Sequence, residues 1–130
     1  MLQKPSNAFI AASWAAMGIG MIGYLVGLWR SDMQLNEKGY YFTVVMFGLF
    51  SAVSVQKAVR DKLEGIAVTD IYYGLSWAAV LLCIVLLAVG LFNATLLPSE
   101  KGFYAFAFVL AIFGAIAVQK NTRDSQITKT

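Results

Sequence analysis

Gln56-Lys57-x-x-Arg60-Asp61 is the sharpest grouping of polar side chains in the chain, and it returns as Gln119-Lys120-x-x-Arg123-Asp124. On a helix Gln56 and Arg60 lie one turn apart, as do Lys57 and Asp61, so each copy combines an amide, two cations and a carboxylate. Two copies at one depth gather four cations, a set suited to anionic lipid head groups or a phosphorylated ligand. The same residues also fit a role as topology signals and helix-dipole partners, with local ion pairs worth a few tenths of a kcal/mol each. Every feature of the topology role is independently expected, so it is the favoured reading; a lipid- or anion-binding site at Gln56, Lys57, Arg60, Gln119, Lys120 and Arg123 is carried forward beside it as the functional alternative.

A second repeated triplet pairs Glu37-Lys38-Gly39 with Glu100-Lys101-Gly102. Glycine after the charged pair permits a tight helix entry. Packing about a pseudo-two-fold axis would let Glu37 meet Lys101 and Glu100 meet Lys38, an expected pair of inter-hairpin ion bridges.

Other chemistry is thinly provided. The chain has no histidine, which removes the usual acid–base group and the commonest transition-metal ligand, and its single cysteine is Cys83. No Ser/His/Asp set, paired catalytic carboxylates, Cys/His cluster or glycine-rich phosphate loop is present, so neither an enzyme, a metal site nor a cofactor is expected. Ser51, Ser54 and Thr43 are polar enough to line a narrow path, although serines on membrane helices more often bond a backbone carbonyl or a neighbour. A small transporter or channel subunit is therefore the alternative to a protein that works by packing.

The elements that must position these residues follow from an internal repeat. Ser13-Trp14-Ala15-Ala16 returns as Ser76-Trp77-Ala78-Ala79, and at the same offset the stretch 37–61 matches 100–124 at close to half of its positions without a gap. Each unit holds two apolar blocks without Asp, Glu, Lys or Arg: the longer are Ala8–Trp29 and Ile71–Phe92, the shorter Gly39–Val55 and Gly102–Val118. At 1.5 Å per residue the longer blocks reach about 33 Å and the shorter about 25 Å, against a hydrocarbon core of about 30 Å. Charged flanks that snorkel extend the short ones. A composition 59% hydrophobic and 13% charged, with mean hydropathy +0.69, agrees.

The expected fold class is all-α, with four transmembrane helices arranged as two tandem parallel-repeat helical hairpins. The units span 6–64 and 69–124, followed by a short polar tail over 125–130. The first block exceeds the usual length of a signal-peptide core and matches an internal block, so it reads as a structural helix. Ser6-Asn7 and Thr69-Asp70 are N-cap types, the second helices are expected to start after Asn36 and Ser99, and Gly65 is placed to end an extended second helix. Ala12, Ala16, Gly20, Gly23 and Gly27 form a small-residue ridge for close helix packing or self-association.

Lys and Arg are unevenly distributed. Lys4, Lys57, Arg60, Lys62, Lys120, Arg123 and Lys129 fall on one side of the membrane, and Arg30, Lys38 and Lys101 on the other. The positive-inside rule then puts both termini in the cytoplasm. A net charge of +3 confined to short loops leaves no basic face that tracks a phosphate backbone, so nucleic acid is excluded as a partner. Anionic membrane lipid, a second copy or a membrane partner protein remain.

Long strings, among them Met33-Gln34-Leu35-Asn36-Glu37-Lys38-Gly39-Tyr40-Tyr41, Gly48-Leu49-Phe50-Ser51-Ala52 and Asn93-Ala94-Thr95-Leu96-Leu97, resemble the YiaA/YiaB family of small bacterial inner-membrane proteins. The resemblance covers roughly residues 8–124. It implies tandem two-helix membrane domains and a bacterial inner-membrane location, and it brings no catalytic or binding residues with it.

Overall fold

The structure, a computed structural model, describes residues 4–129; the Lys129 side chain and Thr130 lie outside the described residues. The described chain is all-α, with four helices: α1 (Asn7–Trp29), α2 (Leu35–Leu63), α3 (Asp70–Asn93) and α4 (Pro98–Lys129). All four are long and apolar enough to cross a membrane. At 1.5 Å per residue, α2 with 29 residues and α4 with 32 reach about 44 and 48 Å. They therefore overshoot the hydrocarbon core, and their charged last turns stand beyond it. We call this the terminal end, and the opposite side, with loops 30–34 and 94–97, the hairpin end.

Local chemistry sets the helix limits. Ser6 Oγ accepts from the Phe9 amide at 3.1 Å, and Thr69 Oγ1 from the Tyr72 amide at 3.2 Å, so both expected N-caps are in place. The second helices begin earlier than expected. Glu37 accepts from the Gln34 amide at 3.1 Å and Glu100 from the Leu97 amide at 2.9 Å, each carboxylate reaching back to the residue before its helix. Gly65, at φ +78, closes α2: the Ile66 amide donates to Asp61 O and the Gly65 amide to Lys62 O. Residues 125–129, expected as part of a short polar tail, continue α4 as helix.

The repeats are interleaved. α1 packs against α4 and α3 against α2, while α2 and α4 cross at the centre; the two helices of one unit scarcely touch. Lipid tails are as apolar as leucine, so close van der Waals contact and interhelical polar bonds must drive this association. Small residues supply the contact. A Cβ on Gly20 would lie 2.5 Å from the Ala111 backbone nitrogen, and one on Gly114 would run into the Met17 backbone. Two tyrosines related by the repeat, Tyr41 and Tyr104, stack at 6.2 Å near the pseudo-two-fold axis. Tyr24, fully buried, meets Tyr104 edge-on at 5.6 Å and donates to Tyr41 O at 2.8 Å.

Candidate functional site

Both copies of the Gln-Lys-x-x-Arg-Asp motif fall in the projecting last turns of α2 and α4, and the central crossing brings them together. Arg60 Nη2 donates to Asp124 at 2.6 Å, and Arg123 Nη2 donates to Asp61 at 2.6 Å. Each arginine thus holds the carboxylate of the other unit. Within each helix Lys57 reaches Asp61 at 2.7 Å and Lys120 reaches Asp124 at 2.9 Å, one turn apart. Glu64 adds a third carboxylate, accepting from Arg60 at 3.1 Å and from Arg123 at 2.9 Å.

Magnitudes separate these contacts. The Asp61 and Asp124 side chains are 7% and 11% exposed, the arginines 14% and 17%, but Lys57 and Lys120 are 56% and 50% exposed. Largely desolvated, the arginine–aspartate pairs leave a costly uncompensated charge if either partner is removed. The lysine pairs are surface pairs, worth less than about 1 kcal/mol. The hydrogen bond from Arg123, with a smaller one from Arg60, holds the Glu64 carboxyl below the usual carboxylate range. Arg60 and Arg123 are thus committed to carboxylates, and Lys57 and Lys120 are the cations that face solvent. Gln56 and Gln119 lie half-buried beside them.

At the hairpin end the expected inter-hairpin bridges do not form: among the described residues no ion pair joins Glu37 to Lys101 or Glu100 to Lys38. Both glutamates turn back on their own helix starts. Lys38 instead donates to Trp29 O at 3.1 Å and lies 5.9 Å from the Trp29 ring centre. Of the small-residue ridge, Gly20 is buried against Ala111, Gly23 and Gly27 face the Phe103 ring of α4, Ala16 is half-buried and Ala12 is exposed.

The polar residues considered for a path are dispersed. Ser51 Oγ donates to Gly48 O at 3.1 Å, Ser54 is buried and Thr43 is exposed. Val45, Ala58 and Ala111, on the central helices, have 0% exposure. No group of three or more His, Cys, Asp or Glu able to hold a metal occurs among the described residues.

Three features lie beyond the sequence expectations. Glu64 follows Arg60 by four residues, a signal that was present, although the repeat puts Ile127 at the equivalent place. The Tyr41–Tyr104 stack joins positions that match in the repeat, which is also readable. The third is an apolar groove of about 470 Å³ between α3 and α4, lined by Cys83, Leu87, Ala105 and Ile112 among others; it depends on helix separation, which one sequence does not reveal.

Two copies of one two-helix unit, interleaved across the membrane and clasped at one end, define a tandem-repeat membrane bundle. The chain belongs to the yiaA/B two helix domain family, whose model matches residues 9–61 and again 72–124. It is 59% identical over 122 residues to inner membrane protein YiaA of Escherichia coli, covering 94% of this chain and 84% of that one. It is 33% identical over 96 residues to inner membrane protein YiaB of the same organism, covering 74% and 81%. An uncharacterized membrane protein of Bacillus subtilis, YubF, is 34% identical over 63 residues, 48% of this chain and 72% of its own length. No solved structure matches the chain.

Proposed function

We propose that the protein is a non-enzymatic, multi-pass inner-membrane binding scaffold, with both termini cytoplasmic, that engages anionic lipid head groups at its terminal end. The supporting observation is the clasp. Four cations meet three carboxylates there, so a positive excess remains, and it is carried by the half-exposed Lys57 and Lys120. Lys62, 4.3 Å from the Tyr73 ring centre, adds a cation at the same end. Cations at this depth meet lipid phosphates, and each contributes about 1 kcal/mol near an anionic surface. The alternative, a small transporter or channel subunit, needs a polar path, and the tightly packed central helices speak against it.

Native mass spectrometry with lipids retained tests the reading. The double variant Lys57→Gln/Lys120→Gln is expected to retain at least one phosphatidylglycerol fewer per chain than the parent while keeping its fold; an unchanged lipid stoichiometry sinks the lipid role at this end. Orientation is checked in Cys83→Ser/Gln126→Cys by a membrane-impermeant maleimide. Labelling in inverted but not right-side-out vesicles is expected, and the reverse overturns the assignment.

A further inference from the structure

The two halves of the bundle are built from matching residues, yet they pack differently. In the first half Gly20 and Gly114 bring the α1 and α4 backbones into contact. Their counterparts in the repeat are Cys83 and Ser51, whose Sγ and Oγ stand 3.9 Å apart between α3 and α2. Side chains therefore separate α3 from α2 where bare backbone meets in the other half. Bulk is also lost at the rim: Leu87 replaces the buried Tyr24, and Ala105 replaces Phe42. What remains is the groove of about 470 Å³, with Gly48 and Ser51 of α2 in its lining.

A second asymmetry sits on the same half. Lys38 is held by Trp29, but the residue equivalent to Trp29 is Phe92, and the Lys101 side chain has no hydrogen bond or ion pair among the described residues. Lys101 precedes Ala105 by one turn, so helical spacing puts it on the groove face of α4, at the hairpin-end mouth.

We propose that this groove is a binding site for one acyl chain of an anionic phospholipid from the hairpin-end leaflet, with Lys101 taking the phosphate. The lining from Val80 to Leu91 covers eleven steps of α3, about 16 Å at 1.5 Å per step. That is half of a hydrocarbon core about 30 Å thick, the reach of a chain from one leaflet. A helix is about 10 Å across with its side chains and would lie over the groove rather than within it, whereas a single acyl chain is narrow enough to lie inside. The apolar lining offers the tail no polar group to desolvate, and the Lys101 ammonium, with no ion partner among the described residues, selects a negative head. This site is at the opposite end from Lys57 and Lys120 and does not depend on them or on which side faces the cytoplasm.

The test uses the full chain in phosphatidylcholine nanodiscs doped, in parallel samples, with phosphatidylglycerol or phosphatidylcholine bearing the same photoreactive group in its acyl chain. Crosslinks concentrated in 80–91 and 105–116 are expected, with Lys101→Gln lowering phosphatidylglycerol crosslinking at least fivefold, to the phosphatidylcholine level. Ala105→Phe, which restores the bulk present at Phe42, is expected to abolish crosslinking at the groove. Ala88→Phe on the groove lining serves the same purpose if Ala105→Phe fails to fold. Crosslinks spread evenly over all exposed helix faces, or unchanged in both filling variants, overturn the site. Equal labelling by phosphatidylcholine, insensitive to Lys101→Gln, overturns the assignment of an anionic lipid. Crosslinking of the groove to a second copy of the chain likewise overturns it.

Discussion

Arg123 of α4 donates to Asp61 of α2 at 2.6 Å, and the exchange is returned at the same distance by Arg60 to Asp124. The charged motif of one unit is completed by the motif of the other, so the clasp exists only when both units are docked. In a bilayer, where burial of apolar surface does not hold helices together, such cross-unit polar contacts bear directly on whether the interleaved pairing persists.

Breaking one side of this exchange leaves a carboxylate in a poorly solvated place. Arg123→Ala is expected to cost about 2–3 kcal/mol, less than the roughly 3–5 kcal/mol of a fully buried pair because the arginines retain some exposure. Lys57→Gln is expected to cost less than about 0.5 kcal/mol. A double-mutant cycle over Asp61→Asn and Arg123→Gln, read by unfolding in detergent, should give coupling above about 1 kcal/mol. Coupling near zero would show that the two residues are neighbours without mutual support.

Acid should loosen the same end. The folded state holds the Glu64 carboxyl below its ordinary range through Arg123 and Arg60. A depressed folded pKa means that the contribution is present above the unfolded value and lost as pH falls through the folded one. Stability is therefore expected to fall below about pH 4.5, the ordinary glutamate range. Glu64→Gln should remove part of that slope while leaving the neutral-pH fold intact; an unaltered acid profile counts against the contact.

Two pairs of glycines have opposite expected effects. A Cβ on Gly20 or Gly114 meets backbone of the partner helix, which has no rotamer with which to yield, so either change to alanine should separate α1 from α4. Around Gly18 and Gly74 a Cβ finds nothing within 4 Å. Alanine there should be neutral or gain up to about 1 kcal/mol of helix propensity. Thermal unfolding of the four variants separates the groups, and equal behaviour of Gly18→Ala and Gly20→Ala would refute the backbone contact.

Much of this is legible from the sequence alone, and what is not has a common physical origin. Ser6 and Thr69 cap helices because a hydroxyl serves a local amide. Lys57 meets Asp61 because one helical turn brings them together. Both relations are settled within a few residues. Charge and symmetry alone match Glu37 to Lys101, but the free Gln34 amide lies three residues away and captures the carboxylate first. The arginine–aspartate exchange between units, and the choice of α4 rather than α2 as the neighbour of α1, depend on helix pairing. That pairing is set by where glycines allow backbones to touch, and Gly20 and Gly114 have to be seen facing their partners before it can be read.

At the hairpin end, Tyr24→Phe retains the aromatic packing and deletes only the hydroxyl that donates to Tyr41 O at 2.8 Å. Interhelical bonds in membranes average about 0.6 kcal/mol, so a loss of that order is expected in unfolding measurements. A loss above about 2 kcal/mol would mean that the hydroxyl serves a larger polar network.

Asn121 gives the least intuitive expectation. It is 2% exposed; Nδ2 donates to Ser13 Oγ at 3.1 Å, Ser13 in turn donates to Ile10 O at 2.9 Å, and Oδ1 has no partner among the described residues. The other half of the bundle has Ala58, fully buried, at the position equivalent to Asn121, and a buried Ser76 at the position equivalent to Ser13. Removing the amide loses one hydrogen bond worth about 1 kcal/mol, but it also relieves a buried unsatisfied carbonyl that costs about 1–3 kcal/mol. Asn121→Ala should therefore be neutral or mildly stabilising, in contrast to most truncations of buried side chains. Asn121→Leu, which overfills a seam already at backbone contact, should be destabilising. If Asn121→Ala instead lowers the unfolding midpoint as much as Arg123→Ala does, Oδ1 has a partner in the folded protein, and an ordered water between α1 and α4 is the group to look for.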